Sequence, residues 1–189
     1  MGILLGLTPF VAFFVAMRLA SPLIGLFAAL ANSALLCAWM YRSGKSIKIL
    51  EIGSLLLFGA LVLYTLVAAP AWTVATVRLA VDAGLLTIVL VSLAIGRPFT
   101  LQYAREQVPK ELWAAPQFIS ANRLITLVWA AAFAVLVAAD AAAEYLPSVP
   151  LWIDVAATVA AFVGAVGFTI WYPAMLRRRT RAAGIGNSS

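Results

Sequence analysis

The sequence predicts an all-α integral membrane protein: a bundle of six transmembrane helices with both termini cytoplasmic. Composition, apolar runs of bilayer length and the alternation of basic loops predict it. Of 189 residues, 65% are hydrophobic and 11% charged, with a mean hydropathy of +1.04. Thirteen basic and seven acidic residues are too few to clothe a water-soluble domain of this size. The net charge of +6 does not point to nucleic acid, because the charges gather at segment ends instead of along one face. The partner it implies is the lipid bilayer.

A bilayer core needs about 20 mostly apolar helical residues. Six segments qualify, at about 3–18, 22–41, 49–68, 71–95, 118–140 and 151–172. The first is the weakest: it is short, Arg18 closes it, and Pro9 should kink or thin it. MGILLGLTPF has no basic region ahead of its apolar stretch, so it reads as a retained helix and not a cleaved leader. Gly6 stands where myristoylation prefers Ser or Thr.

The loops set the orientation. RSGKSIK (42–48) carries three basic residues; Arg97, Arg105, Lys110 and Arg123 follow the fourth span; RRRTR (177–181) carries four more. These are eleven of the thirteen basic residues, all on one side. The other side has Arg18 at its edge, AAPAW and the acidic DAAAEYLPSVP. The positive-inside rule then places both termini in the cytoplasm. Trp39, Trp113, Trp171, Tyr41 and Tyr172 mark that interface, and Trp72, Trp152 and Tyr145 the opposite one. Trp129, near mid-depth, reads as a packing residue.

The organisation expected is one membrane domain, residues 1–176, with a basic cytoplasmic tail at 177–189 whose end is unstructured. The long connection 96–117 is broken by Pro98, Pro109 and Pro116. Leu101, Ala104 and Val108 share a face there, so a short helix should lie on the cytoplasmic interface, with a weak Glu106–Lys110 pair. Small residues recur at Gly25, Ala29 and Ser33, and on two stripes of the last span, Ala156, Ala160, Gly164 and Ala157, Ala161, Ala165. Such stripes let backbones approach closely, which places the last helix centrally or in a dimer interface.

The candidate site comes from two charges inside a span. Arg78 and Asp82 lie one turn apart in the fourth apolar run. Each costs roughly 2.5–3.5 kcal/mol to insert near a helix centre, so an intramembrane ionisable residue is a functional candidate by default. Ala71, Ala75, Arg78, Asp82, Leu85, Val89, Ser92 and Gly96 fall along one face. Asn32 of the second span lies at the level of Asp82, and Tyr64 of the third at that of Arg78. The expectation is a polar cluster of Arg78, Asp82, Asn32 and Tyr64 lining a cavity, with Asp82 accepting a proton or cation. The plainer alternative is an intrahelical Arg78–Asp82 pair that satisfies itself and orders the bundle. Glu51 and Arg123 are secondary candidates, at one depth and able to pair across helices. Asp140, Glu144 and Asp154 read as solvated residues of the outer interface.

Much chemistry is not written in the chain. There is no histidine, hence no Ser-His or Cys-His nucleophile pair. Cys37 is the lone cysteine, and no metal spacing or phosphate-cradling glycine loop occurs, so no cofactor or metal is expected. This weighs against an enzyme.

From Gly96 to Phe133 the pattern resembles the intracellular septation protein A family. Gly96 and Pro98 end a helix, Val108-Pro109 and Trp113 occupy the loop, and Asn122 and Trp129-Ala130 lie on the next helix. The resemblance covers about a fifth of the chain and departs in loop spacing. It implies a multi-pass protein of the bacterial inner membrane linked to envelope maintenance or septation. Three functions follow as expectations. The first is translocation of a small solute or ion through the midplane cavity, which in so short a chain would need a homo-oligomer or a small channel. The second is a non-catalytic scaffold binding an envelope protein through 96–117 and the basic tail. The third, a lipid-modifying enzyme, needs a sideways groove at Arg78, Arg123 or the interfacial loop.

Overall fold

The computed structural model describes residues 2–146 and 150–186, with side chains for 3–146, 150 and 152–178. The last residues of the basic tail, 187–189, and positions 147–149 of the acidic connection lie outside it. Among the described residues the chain is helical throughout, without a strand: α1 (Gly2–Gly6), α2 (Thr8–Leu19), α3 (Pro22–Arg42), α4 (Ile49–Ala68), α5 (Val74–Ala94), α6 (Phe99–Arg105), α7 (Pro116–Tyr145) and α8 (Leu151–Gly186), with a 3₁₀ turn at Lys110–Leu112.

The boundaries follow local chemistry. Ser21 and Thr73 cap α3 and α5, each hydroxyl accepting a backbone N–H three residues on, from Ile24 at 3.3 Å and Thr76 at 2.9 Å. The Glu51 carboxylate reaches back to accept the Lys48 N–H at 3.1 Å at the start of α4. α3 and α5 both end on a left-handed glycine, Gly44 (φ 65°) and Gly96 (φ 70°). After each, the next N–H turns back onto the helix: Lys45 to the Met40 carbonyl and Arg97 to the Ser92 carbonyl. Only glycine takes that conformation without Cβ strain.

Among the described residues five helices are long and apolar enough to cross a membrane: α3, α4, α5, α7 and residues 152–178 of α8. The chain is a multi-pass membrane protein. The first expected span is not one helix. It breaks at Leu7, and α2 holds only 12 residues, about 18 Å of helix against a hydrocarbon core of about 30 Å. Pro9 does not kink it; it sits in the first turn of α2, where its missing N–H has no partner to lose. α1 and α2 nevertheless pack on the bundle, Gly6 lying against Leu50 and Tyr103 and Arg18 lining a void with Arg78.

The packing partners are α2 with α3, α5 with α7, α7 with α8 and α3 with α4. The Gly25, Ala29, Ser33 stripe of α3 is buried. A Cβ at Gly25 would press on Met17 Cβ and the Phe13 carbonyl at 2.9 and 3.0 Å, which explains the close approach of α2. Gly25→Val should therefore loosen α2, read as faster hydrogen exchange of residues 8–19 with α5 and α7 unchanged.

The last helix is peripheral, not central. Only 11% of the apolar stretch of α8 is buried, against 44% for α7. Its Ala157, Ala161, Ala165 stripe turns toward the bundle, while Ala156, Ala160 and Gly164 face outward. The helix continues through Pro173 to Gly186, so the tail's end, expected without structure from residue 182, is helical over 182–186.

The 96–117 connection also differs. α6 packs into the bundle with more than one face enclosed: Phe99, Thr100, Leu101 and Tyr103 are all buried. Its polar groups explain the insertion. The Phe99 N–H donates to Ser92 Oγ, and the Thr100 hydroxyl meets the Asn122 carbonyl and the Thr126 hydroxyl. Tyr103 OH donates to Glu51 Oε1 at 2.7 Å. Gln102 Oε1 accepts the Ile49 N–H at 2.8 Å. Glu106 pairs with the buried Lys48 at 2.9 Å, not with Lys110. Burial and the adjoining Glu51 carboxylate push the Tyr103 phenol well above its ordinary value. The protonated phenol is therefore favoured by folding, and its contribution is complete below about pH 10, the unfolded value, and lost as pH rises beyond it. Tyr103→Phe should cost about 1–3 kcal/mol. Melting curves from pH 8 to 11.5 should show a steeper alkaline decline in the native protein than in this variant.

Candidate functional site: aspartates gathered around Arg78

Three helices build one charged cluster through their 3–4 residue repeat. On α5, Arg78 and Asp82 belong to the buried stripe that continues through Leu85, Val89 and Ser92. On α7, Trp129, Phe133, Leu136 and Asp140 form another. On α8, Asp154 heads the stripe that runs through Ala161 and Ala165. Arg78 is 8% exposed, Asp82 and Asp140 1% and Asp154 2%.

The guanidinium is the hub. It grips Asp154 with two parallel bonds, Nη1 to Oδ2 at 2.7 Å and Nη2 to Oδ1 at 3.1 Å, the fork geometry that makes arginine–carboxylate pairs strong. Nη2 also stands 2.6 Å from Asp140 Oδ1, a contact of charge without in-line N–H alignment. The Phe14 ring lies 6.0 Å from the guanidinium, at the outer range for cation–π attraction. Asp82 forms no such bond. Neither of its oxygens meets a donor, and its carboxyl faces that of Asp140. Two carboxylates thus engage the guanidinium and the third, Asp82, is left without a contact to it, in surroundings where an uncompensated charge is costly.

Two adjoining voids border the cluster. One, of about 160 Å³, is walled by Asp82, Leu85, Leu136, Phe10, Phe14 and Phe162 among others. The second, of about 190 Å³, is lined by Phe14, Arg18, Arg78, Val155, Thr158 and Val159. Phe14 and Thr158 border both. Among the described residues no group of three or more His, Cys, Asp or Glu side chains is arranged to hold a metal ion.

Of the residues singled out from the sequence, the structure places Arg78 and Asp82 together on the inward face but not as an ion pair; Arg78 reaches across to α7 and α8 instead. Asn32 is elsewhere, its Oδ1 accepting the Thr8 hydroxyl at 3.0 Å. Tyr64 is half exposed and packs edge-on against Trp72. Glu51 is buried with Tyr103 and Lys48, whereas Arg123 is exposed, so the two do not pair.

Asp140 and Asp154, read from sequence as solvated, are core members of the cluster. The signal was their register: Asp140 continues the Trp129, Phe133, Leu136 stripe, and Asp154 leads into Ala157 and Ala161 at helical spacing. Only Glu144 of that acidic group is part-exposed, and it accepts the Thr73 and Thr76 hydroxyls at 2.9 Å each.

Fold and site together define a class: a multi-pass α-helical membrane protein with a buried, acid-rich charge centre. Comparison with protein-family models, with characterised proteins and with solved structures finds no match.

Proposed function

We propose that this chain moves a proton, alone or with a small solute, through the bilayer by way of the void beside Asp82, and that Asp82 with Asp140 is the acceptor. The observation that carries this reading is the Asp82 carboxyl: buried, without a donor, facing a second carboxyl and bordering a void. Two carboxyls in such contact are a place to hold one proton. Arg78, tied to Asp154, keeps a positive charge beside them. A scaffold would favour a sealed seam at this position, and the void speaks against one.

In this reading α1 and α2 together make the sixth crossing, the basic loops face the cytoplasm, and a second copy completes the path. The resemblance over 96–133 would place the protein in a bacterial inner membrane, in the service of the envelope. The reading that acts on lipid draws support from the crevice bordered by Arg18 and Arg78.

The test is reconstitution in liposomes enclosing a pH-sensitive dye, with a potassium diffusion potential as driving force. Acidification in the native protein, reduced to the leak of empty vesicles by Asp82→Asn, supports the proposal. No flux above that leak in the native protein, or equal flux in the variant, overturns it.

A further inference from the structure

We infer that the crevice between α2 and α8 binds one acyl chain of an anionic phospholipid, with the phosphate on Arg18. This goes beyond proton movement and does not depend on it.

The first argument is position. α2 packs on α3 and α8 on α7, and the two make no extensive contact with each other. The crevice therefore opens on the flank of the bundle, where hydrocarbon stands. Its rim carries the outward-facing Val11, Val155 and Val159, all exposed.

The second argument is the polarity of its two ends. One end is rich in donors that lack acceptors. Arg18 is exposed, and no acidic side chain of the described residues pairs with it. Arg78 Nε and Thr158 Oγ1 are buried and without a partner, and all three residues line this end. Buried donors left empty are uncommon, and a cation beside them selects an anionic, oxygen-rich group. The other end is apolar, walled by Leu7, Phe10, Leu85, Leu136 and Phe162, with Asp82 as its lone charged member. From Arg18 to Leu7 the wall runs about 16 Å along the helix. Volumes of about 160 and 190 Å³ leave room for a single chain, so the second chain of the lipid stays in the bilayer.

The test is native mass spectrometry of the full chain in mild detergent, offered an equimolar mixture of dioleoylphosphatidylglycerol and dioleoylphosphatidylcholine. The native protein should retain one phosphatidylglycerol with a preference of about tenfold, the scale of one charge-assisted contact. Arg18→Gln, at an exposed position, should bring that preference near parity. Val159→Trp, which fills the crevice from its exposed rim, should strip both lipids while the melting temperature stays native; Val155→Trp serves where the first variant aggregates. Asp140→Asn, a member of the proton pair that does not line the crevice, should retain lipid as the native protein does, so failure of the proton reading and failure of this one are separable. An unchanged preference in Arg18→Gln or undiminished retention in the crevice-filled variant overturns the inference.

Discussion

Arg78→Gln is expected to be the most destabilising single substitution in the chain, at about 3–5 kcal/mol, the cost of removing one partner from a buried ion pair. The glutamine cannot reproduce the fork on Asp154, and Asp82, Asp140 and Asp154 would be left together without a counter-charge. Thermal unfolding in detergent micelles should show a large drop in melting temperature. Asp154→Asn alone should cost less, because Arg78 keeps its contact with Asp140 at 2.6 Å. The double variant Arg78→Gln with Asp154→Asn should be more stable than Arg78→Gln alone, since it removes one orphaned carboxylate. A loss below about 0.5 kcal/mol for Arg78→Gln, the range of an ordinary surface change, would show that the guanidinium does not hold the three helices together.

Asp82→Asn should have the opposite profile, abolishing activity without loss of stability. The carboxyl accepts no hydrogen bond from the rest of the protein, and the new amide can donate to Asp140 in place of the shared proton. Stability should stay level or rise by about 1–3 kcal/mol, the desolvation cost of an unsatisfied buried group. Proton flux should fall to the leak of empty vesicles. Asp140→Asn separates the two roles: it should lose flux as well, but also weaken the hold on Arg78 and lower the melting temperature. Equal stability losses in Asp82→Asn and Asp140→Asn would mean that the pair is a structural seam.

What could be read from the sequence was what periodicity and length encode. The inward face of α5 was legible because Arg78, Asp82, Leu85, Val89 and Ser92 recur at helical spacing, and that stripe is buried. The same test applied to α7 and α8 would have found Asp140 and Asp154. They were read as solvated because both flank the connection between two spans, beside Glu144, and that position hid their register. The break at Leu7 was hinted at by Pro9, but a proline in the first turn and a proline in mid-helix look alike in sequence, and only the boundary tells them apart. The burial of α6 was not legible. Its seven residues show no unique face, and what draws them in is a set of partners from 92 to 126 and from 48 to 51, which local pattern cannot reveal. The voids depend on how α2 and α8 sit against α5, a matter of packing with no trace along the chain.

The reach of Arg78 to α8 has a consequence for biogenesis. Asp154 follows it by 76 residues, and at about 5–20 residues per second a ribosome needs several seconds to supply that distance. During this interval the newly threaded α5 has one acidic neighbour within a turn, Asp82, and a guanidinium in hydrocarbon with no better companion. The nascent segment must therefore wait beside the insertion machinery, or lean on Asp82, until α7 and α8 emerge. A message truncated before codon 140 would yield a product that never exchanges that temporary companion for its permanent ones, and quality-control proteases would meet it as an orphan.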